Sequence, residues 1–118
     1  MNLRAIVVDD EPLVRASIQG LGDWPQHGYD LSDEARNGRE ALEIAASNKI
    51  QLAVVDQDMP DMDGLVVITK LKEIDPTIQT LLLTGHGDEK LREATQALNA
   101  QYFEKEEMNK FWSFIRRN

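Results

Sequence analysis

Cysteine is absent from the chain, which removes thiolate nucleophiles, disulfides and Cys-based metal sites and is compatible with a reducing compartment. Histidine is scarce: His27 and His86 are too few for a zinc centre, and each reads as a loop residue. No apolar stretch approaches the roughly 20 residues that cross a bilayer, and Met1-Asn2-Leu3-Arg4 runs straight into a strand pattern rather than a signal peptide. The expectation is a cytoplasmic protein without membrane contact. Positive charge is outweighed, 13 Lys and Arg against 21 Asp and Glu. The resulting surplus of negative charge argues against direct contact between this domain and a nucleic-acid backbone. Repeats, low-complexity tracts and internal linkers are missing too, so a single domain is expected over residues 1–118.

Against these absences stand four short apolar runs: Ala5-Ile6-Val7-Val8, Leu52-Ala53-Val54-Val55, Leu81-Leu82-Leu83 and Tyr102-Phe103. The first three are too apolar for a sheet with one wet face and read as parallel strands. A weaker, polar strand around Tyr29 to Ala35 suits a sheet edge. Segments of helical period alternate with the strands, predicting helices on both faces of a parallel sheet. Pro12 opens the first helix, Val14, Ile18 and Leu21 form its stripe and Gly22 stops it. Asp23 to Gly28 is a loop. Ala41, Leu42 and Ala45 mark the second helix after the turn Asn37-Gly38. Val67, Ile68, Leu71 and Ile74 mark a third helix, from Gly64 to the stop at Asp75-Pro76. Leu91, Ala94 and Leu98 mark a fourth, and Met108, Phe111, Trp112 and Ile115 a fifth, with Arg116 and Arg117 at its carboxyl end.

Each strong run is followed by a group suited to phosphoryl chemistry: Asp9 and Asp10, Asp56, Thr84 and Lys105. In a parallel sheet the carboxyl ends share one edge, so these groups converge there. Taken singly, each has a plainer role: an Asp after a strand caps a helix, a Thr before Gly sits in a loop, and a Lys among glutamates makes a surface ion pair. Those roles do not explain why all five fall at strand ends. Three clustered carboxylates repel one another unless a cation offsets them, and carboxylate oxygens suit Mg²⁺. Asp9, Asp10 and Asp56 are its candidate ligands, with Lys105 supplying further positive charge. A carboxylate can also attack phosphorus to form an aspartyl phosphate, and Asp56 is the candidate nucleophile.

From end to end the chain resembles the receiver domain of two-component response regulators. The motifs are Val7-Val8-Asp9-Asp10-Glu11-Pro12, Asp56-Gln57-Asp58-Met59-Pro60-Asp61-Met62-Asp63-Gly64, Leu83-Thr84-Gly85 and Tyr102-Phe103-Glu104-Lys105. The resemblance implies a flavodoxin-like α/β fold with strand order 2-1-3-4-5. It implies that Asp56 accepts phosphate from a sensor histidine kinase and that Asp9, Asp10, Asp56 and the main-chain carbonyl of Asp58 hold Mg²⁺. Thr84 and Lys105 would engage the phosphoryl group, with Tyr102 as the aromatic switch and His86 near the site. The helix 4, strand 5, helix 5 face, including Phe114, would change on phosphorylation and serve a partner or a homodimer. Such a domain signals rather than acting as an enzyme on other molecules. The stretch from Gly22 to Tyr29 and Glu34 to Leu42 is similar to receivers that precede an AraC-type DNA-binding domain, so the resemblance implies a transcription regulator of which this chain is the amino-terminal piece.

Two departures stand out. Glu106 occupies the place where the family usually has proline after a cis bond, which predicts either a trans bond with an altered loop or a strained cis bond. Asn99-Ala100 replaces the common Gly-Ala. Glu106 motivates a second reading, a pseudo-receiver that retains the acids without taking phosphate. A phosphatase of the haloacid-dehalogenase type fits Asp56-Gln57-Asp58 but leaves Asp9 and Asp10 without a role. Dinucleotide binding is disfavoured because no G-x-G-x-x-G follows the first strand.

Overall fold

The structure is a computed structural model describing residues 2–117, so Met1 and Asn118, the outermost residues of the expected domain, lie outside the described residues. Strands and helices alternate: β1 (Leu3–Val8), α1 (Pro12–Gln19), β2 (Tyr29–Ala35), α2 (Gly38–Ser47), β3 (Leu52–Asp56), α3 (Gly64–Ile74), β4 (Gln79–Thr84), α4 (Glu89–Ala97), β5 (Gln101–Glu104) and α5 (Met108–Arg117). Single 3₁₀ turns occupy Pro25–His27 and Lys105–Glu107. The five strands form one sheet in the order β2-β1-β3-β4-β5, parallel throughout. This is the expected flavodoxin-like architecture.

Strand alternation splits the core in two. Ile6 and Val8 of β1 face Ala41, Val67, Ile68 and Leu71 of α2 and α3, whereas Ala5 and Val7 face Ile18 of α1 and Phe111 and Ile115 of α5. Because β1, β3 and β4 are covered on both sides, every position from Ala5 to Val8, Leu52 to Asp56 and Thr80 to Thr84 is buried. β2 lies at an edge, and its exposed positions alternate with covered ones. Three helix starts are fixed by acceptor side chains: Asn37 Oδ1 accepts from Glu40 N (2.8 Å), Asp63 Oδ1 from Val66 N (2.9 Å) and Asp88 Oδ1 from Leu91 N (2.7 Å).

Several helix details differ from expectation. α1 ends at Gln19 with Gly20 as its C-cap, before Gly22, and Leu21 packs from beyond the helix. Gly22 serves a close approach instead: a Cβ there would run into the Trp112 ring. Trp24 is 3% exposed, donates Nε1–H to the Ile18 carbonyl at 3.1 Å and meets Trp112 edge-on at 5.2 Å, so it is a packed loop anchor. Ile74 projects into solvent at the end of α3. In α4 the fully buried residue is Thr95, whose hydroxyl donates to the Leu91 carbonyl at 2.7 Å, while Leu91, Ala94 and Leu98 are half-buried. Asn99 adopts φ +58°, a left-handed position that Asn tolerates better than other residues with a Cβ, which accounts for Asn where glycine is common.

Candidate functional site

Strand register builds the site. Val8 pairs with Val55, Asp56 with Leu83 and Thr84 with Glu104, so the residues that end β1, β3, β4 and β5 lie along one edge. Asp9 N donates to the Ala35 carbonyl at 3.1 Å, and Asp9 Oδ1 accepts from Glu11 N at 2.9 Å. Asp9 and Asp56 are buried and Asp10 is exposed, yet one oxygen from each lies within 4.8 Å of the others. Lys105 Nζ reaches in from the end of β5, 2.9 Å from Asp56 Oδ1 and 3.4 Å from Asp9 Oδ2. The Asp56 contact is an ion pair without hydrogen-bond alignment, so this buried oxygen retains lone pairs with no donor.

Burial pushes the Asp56 carboxyl up to about 6, with the neighbouring charge of Asp9 adding to the rise and Lys105 and the Asp58 backbone N–H opposing it. Burial lowers the Lys105 pKa, but contact with Asp56 and the charges of Asp56 and Asp9 outweigh it and hold the ammonium above its ordinary value. Three hard carboxylate donors, one with unused lone pairs, fit an oxygen-coordinated divalent cation such as Mg²⁺. Asp58, the source of the expected main-chain ligand, lies in the exposed loop after β3.

Thr84 ends β4 fully buried, and its hydroxyl accepts from His86 N at 3.1 Å, so it shares the edge with the acids and is engaged with its own loop. The His86 residue itself is exposed. Tyr102 is half-buried; its hydroxyl donates to Glu104 Oε2 at 2.8 Å, and the Arg92 guanidinium lies 4.5 Å above its ring. Burial, then the hydrogen bond and charge of Glu104, push its hydroxyl pKa up to about 12. Gly87 makes room: a Cβ there would collide with the Tyr102 hydroxyl and the Glu104 carboxylate. Phe114 is half-buried and packs on Phe103 with ring centroids 5.7 Å apart. The Lys105–Glu106 bond is trans, since no cis peptide occurs among the described residues, and Glu106 is exposed in the 3₁₀ turn. The altered loop is therefore the alternative realised, and Lys105 still reaches the acids.

One site residue escaped sequence reasoning. Arg15 is buried in α1, donating Nη1–H to the Asp9 carbonyl at 2.6 Å and Nε–H to Glu34 Oε1 at 2.9 Å. The available signal was its position one turn before Ile18, beside Val14 on the inner stripe, where a solvated arginine would be out of place.

A family model described as the response regulator receiver domain matches residues 5–111. The uncharacterized transcriptional regulatory protein YesN of Bacillus subtilis is 33% identical over 85 residues, 72% of this chain and 23% of that protein. The chain spans 23%, 27% and 38% of the length of three curated relatives. A solved two-component transcriptional regulator AraC from Clostridium phytofermentans superposes with TM-score 0.87 at 26% identity, covering 98% of this chain and 92% of that one. A Burkholderia pseudomallei response regulator with a phosphorylated aspartic acid, a calcium ion and citrate gives TM-score 0.76 at 26% identity, covering 88% and 60%.

Proposed function

The chain belongs to the response regulator receiver domain family, and from that premise we propose that it is a phosphorylation-controlled switch in which Asp56 is the phosphoacceptor. The observation that carries this reading is the placement of a nearly buried Asp56 carboxylate 2.9 Å from the Lys105 ammonium and within 4.8 Å of Asp9 and Asp10. An Asp56 oxygen attacks the phosphorus of a phosphohistidine on a sensor kinase. The O–P bond forms as the P–N bond breaks, and the histidine nitrogen keeps the electron pair. Lys105 turns from its ion pair with Asp56 to the new phosphoryl oxygens, and Thr84 exchanges its bond with His86 N for one of them. Asp9, Asp10, Asp56 and the Asp58 carbonyl would hold Mg²⁺, which would supply positive charge to offset that on the transferring group.

Phosphorylation adds about −1.5 to −2 charge and three acceptor oxygens. Movement of Thr84 toward them opens space behind β4, and Tyr102 leaves Glu104 and Arg92 to fill it. The α4, β5, α5 face changes shape and presents itself to a second copy or an output domain. The relatives described as transcriptional regulators favour transcription as the output. A DNA-binding domain carboxyl-terminal to the receiver and action in the cytoplasm complete the proposal. On this reading the domain is no enzyme toward other molecules.

The deciding experiment is intact-mass spectrometry after incubation with acetyl phosphate and Mg²⁺. One phosphoryl adduct is expected, lost in Asp56→Asn and on chelation. An unmodified wild type would overturn the reading in favour of a non-phosphorylated interaction module.

A further inference from the structure

We propose that Arg15 is a positioning residue for the metal-binding acids, acting with Glu34 as a clamp on the main chain between Asp9 and Asp10. This rests on the reading of Asp9, Asp10 and Asp56 as a divalent-cation site and deepens it.

The Asp9 main chain is held at both polar groups. Its N–H donates to the Ala35 carbonyl at 3.1 Å, and its carbonyl accepts from Arg15 Nη1 at 2.6 Å. That carbonyl belongs to the peptide plane from which Asp10 continues. Asp10 is exposed, and among the described residues its carboxylate makes no side-chain hydrogen bond or ion pair, so its direction depends on that plane. Arg15 is held from beneath: Nε donates to Glu34 Oε1 at 2.9 Å, with the arginine side chain 11% exposed and the glutamate 43%. One guanidinium thus spans the β1–α1 turn and the end of β2, using two N–H vectors that diverge from one rigid plane. A lysine ammonium brings the same charge without that fixed fork.

Charge alone gives no reason for this arrangement. Arg15 approaches a carbonyl oxygen of Asp9, whereas Lys105 approaches the Asp9 and Asp56 carboxylates. The two cations have separate tasks: Lys105 faces the reacting oxygens, and Arg15 holds the backbone that aims their neighbours. Removal of a group that orients metal ligands typically weakens metal affinity by about 10- to 100-fold.

The test is calorimetric titration of the whole chain with MgCl₂, beside phosphorylation by acetyl phosphate followed by intact mass across a Mg²⁺ series. Arg15→Met is expected to raise the Mg²⁺ dissociation constant about 10-fold and to shift the Mg²⁺ dependence of phosphorylation to higher concentration, with the rate at saturating Mg²⁺ retained. Arg15→Lys is expected to restore little, while Glu34→Gln, which keeps the acceptor oxygen, stays close to wild type. Arg39→Met removes one exposed positive charge elsewhere and controls for net charge. Circular dichroism under each condition verifies folding; if Arg15→Met fails to fold, Arg15→Lys decides. Mg²⁺ affinity in Arg15→Met or Arg15→Lys within twofold of wild type overturns the role of Arg15 while leaving the metal site standing. A wild type that binds no Mg²⁺ overturns the metal reading and this inference together.

Discussion

At Asp56 burial and pairing pull in opposite directions, and the balance sets a pH dependence. The folded carboxyl titrates near 6, above its unfolded value of about 3.9. Between those values the native state binds more protons than the unfolded state, so stability falls as pH rises through the window of about 4 to 6. Carried through in full, the displacement corresponds to about 3 kcal/mol. In Mg²⁺-free buffer, urea titrations at pH 4.5 and 7.5 are expected to show the wild type losing about 1 to 3 kcal/mol relative to Asp56→Asn. Parallel pH profiles for the two proteins would rule out the burial account. Lys105 bears on the same balance from the other side. Its raised pKa stabilises the fold fully below the unfolded lysine value and loses that contribution only as pH rises through the folded one, well outside this window. The acids at strand ends were legible because each follows an apolar run. Arg15 was only half legible: its place on the inner stripe of α1 was a signal that it is not solvated, but the carbonyl and carboxylate it meets are set in three dimensions.

At the scale of elements, the seam between α4 and β5 holds a testable latch. Tyr102 is kept in place by Glu104, by Arg92 above its ring and by the missing Cβ of Gly87. Burial, the largest cause of the raised Tyr102 pKa, remains in Glu104→Gln while the charge and the carboxylate acceptor go, so ultraviolet titration is expected to show it falling part of the way from about 12 toward the ordinary 10. Gly87→Ala is expected to expel the ring and shift its NMR resonances; unchanged resonances would show that the space is not needed. Helix and strand types were legible from apolar period and from residues such as Pro12 and Asn37. Two helix details were not. The stop at Gly20 rather than Gly22 was hidden because Gly22 looks like a helix terminator, whereas its lack of a side chain serves Trp112, 90 residues away in sequence. The burial of Thr95 was the other: its hydroxyl is satisfied by the Leu91 carbonyl one turn back, so burying it leaves no unpaired group.

For the whole molecule, ligand binding and folding are linked. A cation that binds only the folded acid cluster stabilises the fold, by about 1.4 kcal/mol at ten times its dissociation constant. MgCl₂ is therefore expected to raise the thermal midpoint at pH 7.5 relative to NaCl of equal ionic strength. The gain should shrink at pH 5, where Asp56 is largely protonated and protons compete with the metal. An equal gain at both pH values would place the cation elsewhere. Among the described residues no helix is long and apolar enough to cross a membrane. The sequence by itself determined the alternating pattern, the burial of the central strands and the gathering of Asp9, Asp10, Asp56, Thr84 and Lys105 at one edge, because period and strand-end position are local properties. Only the tertiary structure decided which helices share a face, where Tyr102 rests, how Lys105 reaches Asp56 past Glu106, and that Arg15 grips the Asp9 carbonyl. Each of these depends on distances between segments remote in the chain, which packing sets and no local pattern records.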